Sequence, residues 1–289
     1  MTRVVPGSGA LDAWRPLSEL DWTRAASAFN ACYSGYVIPV HVSAQDLCRR
    51  AQSESVDRKQ SYVVFESESP VGIVLIARRG MTSRIAALGV APERRHSGLG
   101  RAMLARVLAE ATEREDLTME LEVFESNIAA LKLYEATGFR TVDRLLGFEL
   151  VGRQAPTSFL LRQDGFDRIA ALLAADSSNS LPWQLALETL TKLAPPWTVV
   201  SQDDGAFAVV DLSREDAVLL RLLHTAPKRR LQGLARRLIE ALMTQAGGRP
   251  IRVPQLIPAR HEGFAHRLGF TTSTLRQRRM MLEPVEPSR

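Results

Sequence analysis

The chain is poor in several things at once, and each shortage removes a class of protein. Two cysteines, Cys32 and Cys48, in 289 residues are too few for a disulfide scaffold and are not spaced as a CxxC metal site. No stretch approaches the roughly 18 uncharged apolar residues that a membrane span needs. The opening MTRVVPGSGALDAW has no continuous apolar run to serve as a signal-peptide core. These shortages lead us to expect a cytoplasmic protein. Lysine is scarce, confined to Lys59, Lys132, Lys192 and Lys228, so the positive charge is almost all arginine. What remains is ordinary for a globular chain, 45% hydrophobic and 24% charged. The net charge of +5 is uneven: residues 1–150 carry 18 basic against 19 acidic side chains, and residues 151–289 carry 19 against 13. A basic second half suits anionic ligands, but no recognition helix, RNP-type aromatic motif or zinc site accompanies it, so nucleic acid is not expected as a partner.

An internal repeat gives the length a meaning. Leu88 to Ala111 aligns without gaps on Leu223 to Ala246, with nine of 24 positions identical. Each copy reads as the end of an apolar strand, Ala-Pro, a basic turn with glycine, and an amphipathic helix. The apolar positions Met103, Leu104, Val107 and Leu108 recur as Leu238, Ile239, Leu242 and Met243, one helix face at 3.6 spacing. After a four-residue deletion, Thr137-Gly-Phe139 meets Leu268-Gly-Phe270. Strands are expected at 61–66 and 71–78 and again at 197–201 and 206–212, where β-branched and aromatic residues alternate with turn formers. Helices are expected at 21–32, 44–53, 166–175 and 182–193. Two related domains, 1–152 and 153–289, joined near 152–157, account for the length better than one large core.

The most informative segment is Arg95-His96-Ser97-Gly98-Leu99-Gly100-Arg101, between a strand and a helix. Its glycines allow close backbone approach and positive φ, several N–H groups can then face one anion, and the helix adds the positive end of its dipole. This reads as a pyrophosphate cradle. It lacks the GKS/T of a P-loop and the third glycine of a dinucleotide turn, which disfavours nucleoside triphosphates and NAD. About 20 residues later comes a second constellation, 119–139, containing Asn127, Ala130, Leu133, Tyr134, Gly138 and Phe139.

Together these two motifs, in this order, resemble the GNAT superfamily of acetyl-CoA-dependent N-acetyltransferases, over most of residues 15–150. The resemblance implies an α/β (α+β type) fold: two tandem acyl-CoA N-acyltransferase-like domains, each a mixed, mostly antiparallel twisted sheet flanked by helices. It implies acetyl-CoA as the donor, with the backbone of Leu88, Gly89 and Val90 along the pantetheine arm. The amides of His96, Ser97, Gly98, Leu99, Gly100 and Arg101, with Arg95, would hold the pyrophosphate. Asn127 would sit near the pantetheine, and Tyr134 would protonate the leaving thiolate. Transfer to an amine also needs a base and an oxyanion donor. Val90 N–H is the donor candidate. Glu122 is the base candidate, twelve residues before Tyr134, where ribosomal-protein N-acetyltransferases of this superfamily place a catalytic glutamate. Glu120 shares its strand face and is the reserve; an ordered water is a third route.

Each residue also has a plainer reading. Tyr134 can pack in a core, and Glu122 can be an ordinary strand glutamate. Phe29, Tyr33 and Tyr36 can line an acceptor pocket or simply pack. No cysteine lies in either motif, which speaks against a covalent acyl-enzyme, and His41, His224, His261 and His266 show no metal-ligand spacing, so no metal is expected. In the second copy Asn127, Tyr134 and Glu122 become Pro258, Ala265 and Val253, so that copy is expected to lack transfer chemistry. Its Lys228-Arg229-Arg230 reads either as a loop for a phosphate-bearing ligand or as solvated charge. The expected reaction is N-acetylation of a small-molecule or peptide amine by a monomer or homodimer without membrane association. The rivals are a non-catalytic acyl-CoA sensor or interaction module, and a two-domain enzyme like mycothiol synthase. In that family the second domain is the active one, whereas here the intact motifs are in the first.

Overall fold

A computed structural model describes residues 13–152, 161–174, 176, 181–203 and 205–283. Beyond Gly152 the expected connector lies outside them. The elements form two compact units, the first within Met1–Leu121 and Met281–Arg289, the second within Glu122–Met280.

The first unit opens with β1 (Ala13–Pro16), then α1 (Trp22–Cys32) and α2 (Ala44–Ser53). Both helices begin where capping chemistry places them: Asp21 accepts from Arg24 N at 2.8 Å and Ser43 accepts from Asp46 N at 3.1 Å. Next come β2 (Tyr62–Glu66), β3 (Ser69–Arg79), β4 (Thr82–Val90), α3 (Leu99–Glu113) and β5 (Thr118–Phe124). The strands lie in the order β1-β2-β3-β4-β5, antiparallel except for β4 and β5, whose parallel pairing needs the α3 crossover. The predicted apolar face of α3 is the buried one: Leu99 and Met103 pack on Val64 and Val71, with Leu104 and Val107 also buried and Leu108 half-buried.

The second unit holds α4 (Ile128–Ala136), β6 (Arg140–Leu150), β7 (Arg162–Asp164), α5 (Phe166–Ala174) and α6 (Leu187–Leu190). It continues with β8 (Trp197–Asp203), β9 (Ala206–Asp211), β10 (Val218–Thr225), α7 (Leu234–Ala246), β11 (Ile251–Pro258), α8 (Glu262–Arg267) and β12 (Thr271–Leu282). Its order is β12-β6-β11-β10-β9-β8-β7. β7 through β10 pair antiparallel and β10 with β11 parallel, repeating the pattern of the first unit. Leu238, Ile239 and Leu242 of α7 are buried with Val210, Leu220 and Phe148. The mixed, mostly antiparallel sheet flanked by helices is the architecture expected from the sequence.

One expectation fails. Residues 182–193 do not make a continuous helix: a 3-10 turn at Trp183–Leu185 and the single turn of α6 are separated by Ala186, extended at φ −65°, ψ 153°. Thr189 Oγ1 donates to Trp183 O at 2.6 Å, closing the corner. The apolar spacing that suggested a helix comes instead from two short pieces that each bury leucine or tryptophan.

The units also divide the chain differently from the repeat. β6 ends the first copy in sequence, yet its ladder is with β11 of the second, from Ile251↔Leu150 to Pro258↔Leu145. The register breaks between Val253 and Ile257, where Pro254 has no N–H to give. Gly147 makes room for this break, since a Cβ there would lie 2.7 Å from Gln255 Nε2 and 2.9 Å from Val253 O.

Candidate active site

The first unit supplies a strand edge and an anion cradle. β3 and β4 are in register from Arg79↔Thr82 to Ile76↔Ile85 and again from Leu75↔Ala87 to Gly72↔Val90, so Ala86 is an extra residue in β4. The β4–β5 ladder runs only from Thr82↔Thr118 to Ile85↔Leu121, stopping at that bulge. Among the described pairings, Leu88, Gly89 and Val90 therefore pair with β3 and leave their other edge outside a ladder. The bulged carbonyl is not left unsatisfied: Arg50 Nη2 donates to Ala86 O at 2.9 Å.

After β4 the chain makes one 3-10 turn and reaches two left-handed residues, His96 at φ 62° and Gly98 at φ 87°. Gly98 is the N-cap of α3, and the first helical bond is Ala102 N to Gly98 O at 3.0 Å. The amides of Leu99, Gly100 and Arg101 therefore precede the helical ladder. Ser97 Oγ donates to Arg94 O at 2.6 Å and lies 3.4 Å from Leu99 N, bracing the turn. Arg95, expected at the phosphates, donates from Nε to Val90 O at 3.2 Å and from Nη2 to Ser34 O. Its guanidinium thus ties the end of β4 to the segment after α1.

The three aromatic candidates stack into one group. Phe29 is buried, its ring 4.4 Å from that of Tyr33 and nearly parallel; Tyr36 meets Tyr33 edge-on at 5.0 Å. Tyr33 in turn lies on Gly89, where a Cβ would come within 2.7 Å of its ring and 3.3 Å of Cys32 Cβ. Burial pushes the Tyr33 hydroxyl above its ordinary range and, with the nearby Glu93 carboxylate, pushes the Cys32 thiol up to about 12. Cys32 therefore stays a thiol at neutral pH. Gly89→Ala is expected to destabilise the protein by about 1–3 kcal/mol, because the added methyl would press on the Tyr33 ring and Cys32 Cβ. Thermal unfolding reads this out, with Tyr33→Ala in the same chain recovering most of the loss; an unchanged melting temperature for Gly89→Ala would refute the contact.

Glu120 and Glu122 share a strand face but not a setting. Glu120 is 4% exposed and stands in register with Arg84, whose guanidinium reaches Glu54 at 2.8 Å. Arg50 also meets Glu54.

The remaining candidate residues belong to the second unit. Half-buried Glu122 accepts at Oε2 from Gln184 Nε2 at 2.9 Å. Gln184 is itself 7% exposed and its carbonyl accepts from Arg221, at 2.9 Å from Nη2. Asn127 caps α4, its side-chain oxygen accepting from Ala130 N at 3.2 Å. The cap leaves the amide nitrogen as the group that can face a ligand. Tyr134 is 6% exposed, its ring edge-on to Phe139 at 5.7 Å. Phe139 N donates to Tyr134 O at 3.1 Å through the turn at Gly138, φ 93°. Sequence reasoning missed Gln184, a neutral residue in a short irregular segment 62 positions from Glu122. Among the described residues there is no group of three or more His, Cys, Asp or Glu placed to hold a metal ion, and no helix long and apolar enough to cross a membrane.

Comparison with known proteins gives a consistent picture. Residues 22–139 match the Acetyltransferase (GNAT) family. Over 52 residues the chain is 44% identical to the ribosomal protein bS18-alanine N-acetyltransferase of Escherichia coli K12, a stretch covering 18% of this chain and 35% of that relative. A GCN5-related N-acetyltransferase from Sphaerobacter thermophilus has a similar structure, with a TM-score of 0.64 at 17% identity over 91% of this chain and 92% of that one. A tandem GNAT protein from the clavulanic acid biosynthesis pathway gives 0.60 at 18% identity, over 92% and 97%. Both likenesses concern the fold and extend through the second copy. Residues 22–139 thus match the GNAT acetyltransferase family, in a chain whose fold is similar to that of tandem members.

Proposed function

We propose that the chain transfers the acetyl group of acetyl-CoA directly to a primary amine, of a small molecule or of a protein N-terminus or lysine, in the cytoplasm. In this reading the first copy, 1–152, carries the chemistry, and the second, 153–289, does not. The observation that carries the proposal is the bulge at Ala86, which frees the edge of β4 just before a turn whose left-handed His96 and Gly98 open the first amides of α3. This cradle fits a ligand with a strand-like amide arm and a pyrophosphate: the arm takes the edge of Leu88–Val90, and the phosphates take the amides of His96–Arg101. When bound, acetyl-CoA supplies the acetyl group as an activated thioester.

The protein's own residues then have separate tasks. Glu122 takes the proton from the attacking amine, held for that task by Gln184. Val90 N–H donates to the thioester carbonyl oxygen as it gains charge. Tyr134 Oη gives a proton to the departing sulfur, and Asn127 orients the arm from the start of α4. We assign the base to Glu122 ahead of Glu120, because Glu120 is buried opposite Arg84 while Glu122 is half-exposed. The 44% identity to an alanine N-acetyltransferase over 52 residues favours a peptide N-terminus as the first acceptor to try.

The test is release of free thiol from acetyl-CoA across a panel of amines and N-terminal peptides. Amine-dependent release, reduced about 10²-fold or more in Tyr134→Phe, is the expected result. Acetyl-CoA binding without amine-dependent release from any acceptor would instead favour an acyl-CoA sensor.

A further inference from the structure

The second copy has a bulge of its own, and the extra residue there is an arginine. β9 and β10 pair as Leu220↔Val210 and then Leu222↔Val209, so Arg221 is the extra residue, at the position equivalent to Ala86. The two bulges are braced in opposite senses. In the first copy Arg50 of α2 donates to the bulge carbonyl, Ala86 O, at 2.9 Å. In the second copy the place of α2, between α5 and β8, is taken by the corner at Trp183–Leu185 and the single turn of α6. Here the bulge residue is the donor: Arg221 gives Nε and Nη2 to Gln184 O at 3.3 and 2.9 Å. Its guanidinium also lies over the Trp197 ring, 5.2 Å from the centroid. Alanine at the equivalent place in the first copy has no such reach.

Gln184 turns this brace toward Glu122. All three residues, Glu122, Gln184 and Arg221, belong to the second unit. The backbone of Gln184 is fixed between buried Trp183 and Leu185, and Thr189 Oγ1 closes the corner on Trp183 O. From this corner the side chain donates Nε2 to Glu122 Oε2 at 2.9 Å. A carboxylate only accepts, so the amide nitrogen is the end that has to face it. The other end, Oε1, is buried and has no hydrogen-bond partner among the described residues. No second hydrogen bond at Oε1 therefore pins the amide there, and its direction follows from where the corner holds the Gln184 backbone. That backbone is what Arg221 grips.

We propose that Arg221 is a positioning residue for acetyl transfer: through the carbonyl and then the side-chain amide of Gln184, it fixes the direction in which Glu122 presents its carboxylate. The second copy thus serves the reaction by holding the base of the first, and Arg221 needs no contact with substrate or cofactor to do so. This inference rests on Glu122 being the base proposed above. A displacement of about 1 Å at a catalytic group is enough to slow a reaction by one or two orders of magnitude. A corner released from Arg221 can shift Gln184 Nε2 on that scale.

Thiol release by the full chain, at saturating acetyl-CoA and with the fastest acceptor of the amine panel, tests this in double-mutant cycles. Arg221→Met is expected to lower kcat about tenfold while leaving KM for acetyl-CoA unchanged. In the Gln184→Leu and Glu122→Gln backgrounds the same change should cost less than about twofold, because the groups through which Arg221 acts are gone. A merely structural arginine would instead cost the same factor in all three backgrounds, by lowering the fraction of folded enzyme. That result, or a kcat for Arg221→Met within about twofold of the parent, overturns the proposal. Should Arg221→Met fail to fold, Arg221→Lys runs the same cycles. It keeps the charge but replaces the two donors on Gln184 O with one ammonium, and a loss of about threefold is expected. Release that is indifferent to Glu122→Gln removes the base and its positioning together. A parent chain that releases no thiol with any amine overturns the transfer reading itself, an outcome distinct from all of these.

Discussion

Glu122→Gln is expected to lower kcat/KM for an amine acceptor by about 10²–10⁴-fold at pH 7, the usual contribution of a positioned general base. The reason is the acceptor's own acidity. An alkylamine with a pKa near about 10 is protonated in all but roughly one molecule in a thousand at neutral pH, so an enzyme that cannot take the proton must wait for the neutral fraction. The residual rate of the variant should then climb about tenfold per pH unit between 7 and 9, a steepness the parent enzyme does not share. Gln184→Leu should give a milder form of the same change, because it removes the donor to Glu122 Oε2 while Arg221 still holds the Gln184 carbonyl in place. Initial rates of thiol release over that pH range decide the matter. A loss below threefold in Glu122→Gln, with an unchanged profile, would remove Glu122 from the mechanism.

Arg84→Met should cost about 3–5 kcal/mol of stability. Arg84 is 2% exposed; its side chain meets Glu54, and Glu120 stands opposite it in register. Removing the guanidinium takes a buried cation away from two buried carboxylates, so Arg84→Met with Glu120→Gln should recover part of the loss. Urea unfolding measures both. The same pair of experiments separates the two strand glutamates: Glu120→Gln should lose stability and keep turnover, whereas Glu122→Gln should do the reverse. A loss under about 1 kcal/mol for Arg84→Met would mean that water reaches this cluster and the charges are not truly buried.

The parts of this fold legible in the sequence were those governed by local periodicity and backbone chemistry. Gly98 was read as free to take positive φ before α3, helices were expected at 21–32 and 44–53 from periodicity, and the apolar faces of α3 and α7 were visible from spacing alone. His96 was read for its amide, and its φ is left-handed. The hidden parts depend on partners far along the chain. Nothing local marks Ala86 or Arg221 as bulged, since neither is glycine or proline and the extra residue exists only relative to the neighbouring strand. Arg95 was read as a phosphate ligand because charge is visible in a sequence; the two carbonyls that also accept from it are not. Gln184 was masked by leucines that mimic a helix period.

The pairing of β6 with β11 bears on how such a chain can be taken apart. A protein ending at 152 would carry β6 without its β11 partner, presenting Leu145, Leu146 and Phe148 along an open edge that another copy of the same fragment could cover. The second half is therefore not a passenger that deletion would shed harmlessly. On this pairing residues 153–289 complete the sheet that β6 belongs to, so the fold would need the second half whatever chemistry it carries.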